Sequence, residues 1–154
     1  MASRMPRWLL VAVSLVGAAA LAISVQAGVW WSVGEMTIGP FGVHHCFGGE
    51  CRGSSLSLVS ESDLWMRSAI ATGVAGAIAS VLLVALAGAC AARRVPRLIA
   101  RMTVSALAAA VLCAVYFVVQ FPGLAGAGVD RGLVLFALGI VAGAVAAISV
   151  LRAA

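Results

Sequence analysis

The stretch LWMRSAIATGVAGAIASVLLVALAGACAARRVPR, residues 64–97, decides the fold. Between residues 64 and 92 it has one charged side chain, Arg67, and otherwise consists mainly of Ala, Val, Leu, Ile and Gly. A helix needs about 20 consecutive apolar residues to cross a hydrocarbon core of about 30 Å. Residues 64–92 therefore predict a membrane-spanning helix that is longer than required.

The composition extends this prediction to the whole chain. It has 154 residues, of which 64% are hydrophobic and 10% charged, whereas soluble domains carry about 25% charged residues. Three further apolar runs, 8–27, 98–121 and 132–151, are long enough to cross a bilayer. We expect one all-α membrane domain over residues 1–154, a bundle of four transmembrane helices. The spans contain almost no ionisable side chains, which argues against a proton-coupled transporter.

The arginines predict the orientation of the bundle. Arg4 and Arg7 precede the first span, arginines fill the short loop 93–97, and Arg152 follows the last span. The positive-inside rule places both termini and this loop in the cytoplasm, with loop 28–63 and turn 122–131 outside. The arginines therefore account for the net positive charge as topology signals, and we expect no nucleic-acid partner. The lysine-free, Ala- and Arg-rich composition favours the inner membrane of a bacterium.

An alternative remains open for the first apolar run. Arg4 and Arg7, the run itself and the residues 25–27 could form a secretory signal that is cleaved after Ala27. The run is long for the apolar part of a signal peptide. We therefore interpret residues 8–27 as a retained helix.

The outer loop contains the segment VHHCFGGECRG, residues 43–53. Cys46 and Cys51 flank a Phe-Gly-Gly-Glu turn, and disulfides persist outside the cytoplasm. Gly48 and Gly49 give the backbone the freedom that a tight reversal needs. We predict a structural disulfide between Cys46 and Cys51.

Two other interpretations of this segment are weaker. A metal site would use His44 and His45 beside the cysteines, but neighbouring residues on an extended strand point to opposite sides. The C-x-x-C and H-x-x-H spacings of zinc sites are also missing. A redox function needs a second thiol pair to re-oxidise the first, and the remaining cysteines, Cys90 and Cys113, lie in predicted helices. We expect no metal and no cofactor.

The rest of the outer loop predicts a small antiparallel β-sheet. The stretches 29–33 and 55–60 have the alternation of half-buried strands, and glycines between them indicate turns. Trp30 and Trp31 follow the first span, at the depth where tryptophan often anchors in the membrane interface. Each of them either anchors there or packs beneath the sheet.

Small residues recur at four-residue spacing in two spans. Gly139 and Gly143 share one face of the fourth helix, and Gly73 follows Ala69 on the second. Such faces allow helix backbones to approach closely in lipid. The sequence does not decide whether they pack within the chain or against another copy.

This pattern resembles the claudin and peripheral myelin protein superfamily. The shared features are four spans with both ends inside, a large first outer loop with tryptophan after the first helix, and two cysteines. The stretch 63–69 at the start of the second span, which contains Arg67, is similar to the Leu-x-x-x-Arg-Ala stretch of claudins. The Gly-Leu-Trp of claudins is absent, and Cys46 and Cys51 are closer together than the claudin pair. The resemblance implies a four-helix fold with a sheet in the first outer loop.

No residue pattern indicates catalysis. We expect a non-enzymatic, claudin-like membrane scaffold or accessory subunit that presents its disulfide-closed outer loop to another membrane protein or to a neighbouring copy. The alternative is a membrane thiol-disulfide oxidoreductase that uses Cys46 and Cys51. The residues expected to pack the outer loop or to meet the partner are Trp30, Trp31, Phe41, His44, His45 and Arg67.

Overall fold

The computed structural model describes residues 5–26, 28–94 and 96–153. Within them lie four long helices: α1 (Arg7–Gln26), α2 (Asp63–Ala91), α3 (Arg97–Val119) and α4 (Arg131–Ala153). All four are long and apolar enough to cross a membrane, which confirms the helices predicted from the apolar runs. Two residues on which the sequence predictions drew, Arg4 and Ala27, lie outside the described residues.

The longest helix, α2, begins at a capped end. The Ser62 hydroxyl accepts a hydrogen bond from the Trp65 backbone N–H at 3.4 Å, which satisfies a donor that the first turn leaves free. Asp63 follows in the first turn, where a negative charge is favourable. The 29 residues of α2 rise by about 43 Å, so the helix tilts in a bilayer or extends beyond it.

Glycines bring α1 and α4 into close contact. A Cβ atom on Gly139 would lie 2.7 Å from Cγ of Leu21, and one on Gly17 would lie 3.1 Å from the backbone nitrogen of Gly143. Larger residues at these positions would push the helices apart. Gly139 and Gly143 therefore pack within the chain, which answers the question that the sequence left open.

Five short strands form one antiparallel sheet in the described residues. Its order is β4-β3-β2-β1-β5, with the strands β1 (Trp31–Val33), β2 (Met36–Gly39), β3 (Gly42–Phe47), β4 (Glu50–Ser54) and β5 (Gly128–Val129). The first four follow α1, and β5 belongs to the connection between α3 and α4. The small antiparallel sheet predicted from the sequence is confirmed. We call this end of the bundle the sheet end, and the end that carries Arg7 and Arg94 the arginine end.

The predicted strand positions were partly wrong. Residues 55–60 form no strand but contain a 3₁₀ turn at Leu56–Leu58. Serine side chains explain the difference: the Ser55 and Ser57 hydroxyls bond each other, and the Ser60 hydroxyl accepts from the Ser62 N–H. Such local bonds compete with a strand ladder. Of the predicted strand 29–33, only Trp31–Val33 pairs in the sheet.

The sheet rests directly on the helix ends. Gly39 of β2 packs so closely on Gly28 that a Cβ atom would overlap the Gly28 carbonyl oxygen, at 1.8 Å. Beneath β1, Trp30 and Trp31 are 0% and 4% exposed. Both tryptophan side chains are therefore buried between the sheet and the helices.

An aromatic cluster fills the space between the sheet and the helices. Trp31 stacks on Phe121 with ring centroids 4.4 Å apart, and Trp30 lies 5.0 Å from Phe136. Hydrogen bonds orient its polar groups: the Trp30 indole N–H donates to the Ser24 carbonyl at 3.2 Å. The cluster joins α1, β1, α3 and α4 and makes the sheet a fixed platform.

Candidate functional site

The β3–β4 hairpin forms one edge of this sheet and carries the segment that the sequence singled out. Its two-residue turn consists of Gly48 and Gly49, with φ angles of +59° and +88°. Two consecutive positive φ angles are typical of the type I′ turn, which matches the twist of paired strands. Glycine adopts them without the steric cost that a side chain would add. The Gly-Gly pair therefore fixes the register of the hairpin.

A disulfide joins the two strands next to this turn. Cys46 and Cys51 are directly opposite each other in the β3–β4 ladder, with Cα atoms 4.0 Å apart. The predicted disulfide is confirmed. Because β4 is an edge strand of the sheet and is almost entirely exposed, this bond ties an exposed strand to β3, its neighbour in the sheet.

The two histidines lie in different surroundings, as their adjacent positions on a strand predict. The His44 ring packs near Gly53 and borders a small cleft of about 100 Å³ beside Gly28 and Phe41. His45 lines a larger cavity elsewhere on the sheet. Within the described residues, no three His, Cys, Asp or Glu side chains are grouped as metal ligands.

That larger cavity, which we call the sheet cavity, has a volume of about 410 Å³. Ligand pockets in proteins span about 300–1,000 Å³. Its lining combines four apolar side chains with three polar ones: Val33, Met36, Phe47 and Leu58 with Glu35, His45 and Ser54. Phe47 and Leu58 are 73% and 61% exposed. The cavity therefore has an apolar wall with two large side chains on its open side.

One of the residues that line the sheet cavity has a buried polar atom without a partner. Nδ1 of His45 is buried and forms no hydrogen bond within the described part of the chain. An unsatisfied buried polar atom costs about 1–3 kcal/mol. The same ring lies edge-on to Phe47, with centroids 6.2 Å apart. A bound group that covers the exposed Phe47 ring would also lie beside the His45 ring.

The other residues expected at the site lie apart from the sheet cavity. The Phe41 ring packs on Gly73 of α2, where a Cβ atom would lie 2.5 Å from Cζ. Gly73 therefore lies where α2 contacts the loop between β2 and β3. Arg67 is exposed near the start of α2. Trp30 and Trp31 belong to the buried cluster. Of the residues predicted to pack the loop or meet a partner, only His45 lines the cavity.

Sequence reasoning missed most of the lining. Met36 and Leu58 were available as apolar residues in a polar, glycine-rich loop, but the sequence does not show that the fold brings β2 and the 3₁₀ turn together. Trp65 was also missed as a structural residue. Its indole N–H donates to the Phe117 carbonyl at 3.0 Å, which anchors the start of α2 to α3 below the sheet.

The remaining cysteines bear on the redox alternative. Cys90 is buried and Cys113 is partly buried, and both lie within helices. Among the described residues, the sheet layer therefore contains no free cysteine that could exchange with the Cys46–Cys51 disulfide. Thiol-disulfide exchange requires a thiolate to attack the disulfide, so any such thiol would have to come from another molecule.

No protein-family model matches this chain, and no curated protein matches it. The functional proposal therefore rests on the chain's own residues.

Proposed function

We propose that the chain is a multi-pass membrane protein without catalytic activity, a scaffold or accessory subunit whose sheet cavity receives a side chain of a partner protein or of a neighbouring copy. The observation that carries this proposal is the sheet cavity itself, with its mainly apolar lining and the exposed ring of Phe47. Polar and apolar groups side by side are typical of a recognition surface.

The charge distribution supports an orientation with the sheet outside the cytoplasm. All five acidic side chains lie at the sheet end, at Glu35, Glu50, Glu61, Asp63 and Asp130. The arginine end carries six of the described arginines, Arg7, Arg93, Arg94, Arg97, Arg101 and Arg152. By the positive-inside rule the arginine end faces the cytoplasm, with both termini there. We propose the cell membrane of a bacterium as the location.

Exposed apolar residues on the helices do not indicate a protein-binding surface, because lipid would cover them in a membrane. Phe47 and Leu58 are also exposed, but they belong to the sheet layer beyond the helix ends, where lipid would not cover them. Large aromatic anchors that enter pockets dominate the energetics of protein interfaces. The disulfide and the glycine turn already hold Phe47 in place, so binding immobilises little more of the chain.

The order of features along the chain supports a claudin-like scaffold. Two tryptophans follow α1, two cysteines occupy neighbouring strands of the same connection, and α2 begins with the stretch 63–69. The short spacing of Cys46 and Cys51 departs from claudins. The proposal therefore extends to scaffolding and not to the ion selectivity or strand assembly of claudins.

The test is affinity purification in mild detergent with matched variants. We expect the parent to retain a partner at fixed stoichiometry and Phe47→Ser to weaken its binding about 30-fold, since loss of a central anchor costs about 2 kcal/mol or more. Val129 is the control: it is 66% exposed on β5, at the opposite edge of the sheet, and Val129→Ser should retain the partner. Equal retention by both variants would refute the proposed surface.

A further inference from the structure

A second cavity lies at the arginine end, and the proposed docking function does not use it. It has a volume of about 270 Å³ and lies between the ends of α1, α2 and α4. Two guanidinium side chains, Arg7 and Arg94, line it together with apolar groups that include Leu10 and Val150. We call it the arginine cavity.

The backbone at the end of α2 places Arg94 there. The Arg94 N–H donates to the Ala89 carbonyl at 3.0 Å, and the Arg93 N–H donates to the Cys90 carbonyl at 3.1 Å. This pair of bonds is the Schellman motif, whose residue in the left-handed region is usually glycine. Here that residue is Arg93, with φ of +59°, a conformation that costs a residue with a side chain about 1–2 kcal/mol. The reversal leaves Arg94 on the cavity and Arg93 outside its lining.

No described acidic side chain lies near the two arginines of the cavity. Within residues 5–26, 28–94 and 96–153, neither Arg7 nor Arg94 forms an ion pair with an acidic side chain. Every acidic side chain of the chain lies at the sheet end. An anion bound in this cavity would be attracted by both guanidinium groups. Arginine is also the side chain whose planar donors best match phosphate.

The position of the cavity indicates where the phosphate comes from. Arg7 is the first residue of α1, and Leu10 lies one turn further along the same apolar helix. The cavity therefore spans the boundary between headgroups and hydrocarbon in a bilayer. Inorganic phosphate has no apolar group that could contact the apolar lining of the cavity. A phospholipid has glycerol and methylene groups next to its phosphate, and these can contact that lining.

We propose that the arginine cavity binds an anionic phospholipid of the surrounding leaflet. Arg7 and Arg94 hold its phosphate, and Leu10 and Val150 contact the glycerol and the first methylenes. Basic pockets between transmembrane helices bind anionic headgroups in this way. The site holds a lipid against three helix ends and so stabilises the bundle at the end opposite the sheet.

The test measures lipid binding to the purified full chain by native mass spectrometry, with phosphatidylglycerol, phosphatidylcholine and inorganic phosphate as separate probes. We expect the parent to bind phosphatidylglycerol at least tenfold more tightly than phosphatidylcholine, whose choline cation the arginines repel. Inorganic phosphate should not displace the lipid. Equal binding of the two lipids, or displacement by millimolar phosphate, would overturn the proposal without any variant being needed.

Variants then locate the site. Arg7→Gln and Arg94→Gln should each weaken phosphatidylglycerol binding about fivefold, the equivalent of about 1 kcal/mol for one basic residue. Arg93→Gln removes the same charge from the same turn but outside the cavity, and it should change binding less than twofold. An equal loss in all three variants would show diffuse surface charge and no built site. If a glutamine variant fails to fold, Arg94→Lys keeps the charge and should retain most of the binding; complete loss there would also contradict the proposal.

Discussion

Replacing both Cys46 and Cys51 with serine should loosen the hairpin while the four helices stay folded. The disulfide closes a ring of six residues, 46–51. The loop-entropy relation gives about 2 kcal/mol at 25 °C for a ring of this size. Since β4 pairs with β3 alone, loss of this constraint acts directly on the opening of the hairpin. A change of about 2 kcal/mol raises the open fraction about 30-fold.

Trypsin provides the assay, because Arg52 lies in β4. Arg52 is paired with His45 in the ladder, so the bond after Arg52 becomes a substrate only when the hairpin opens. At low trypsin concentration the cleavage rate follows the open fraction. We therefore expect cleavage after Arg52 to be about 30 times faster in the double variant than in the parent.

The matched control replaces the other two cysteines, Cys90 and Cys113, with serine, and its cleavage after Arg52 should equal that of the parent. Insertion into the membrane should be unchanged in the hairpin variant, because it depends on apolar helices and not on the loop. A rise of less than about threefold after Arg52 would refute the reasoning that the disulfide holds the hairpin closed.

Three further predictions concern the helices, the redox alternative and the orientation. Gly139→Ala should destabilise the bundle by about 1–3 kcal/mol in detergent unfolding, because its Cβ would overlap a leucine of α1; Gly88→Ala, with open space around it, should not destabilise it. The hairpin disulfide should stay oxidised in native membranes that are treated with mild reductant and alkylated for mass spectrometry, and ready reduction would favour the oxidoreductase. Reporter fusions after Arg94 and at the C-terminus should report cytoplasm, and one at Gly49 should report the outside; a reversed signal would contradict the orientation.

The helices could be predicted from the sequence because each of them depends on its own composition. A run of about 20 apolar residues predicts a helix long enough to cross a membrane, whatever its neighbours are. The disulfide was also predictable, since Cys46 and Cys51 flank a turn that two glycines mark. Both features depend only on residues that are close together in the chain, and for this reason they can be predicted from one sequence.

The sheet and its cavity depend on contacts between distant segments. Nothing in Gly128–Val129 indicates a strand, and it becomes one because its neighbours pair it with Trp31. The glycines of β2 and β3 indicated turns, but Gly39 is required by the close approach to Gly28. Likewise, Arg94 belongs to a cavity only because the chain reverses at Arg93. Such roles follow from the tertiary arrangement and not from a local pattern.

The central claim, that the sheet end docks another protein chain, is tested most directly by photo-crosslinking in native membranes. A photoreactive phenylalanine analogue replaces Phe47 in one variant and Val129 in another. The account predicts one discrete protein adduct from position 47, of either a partner or a second copy, and none from position 129. No protein adduct at position 47, or the same adducts from both positions, would contradict it.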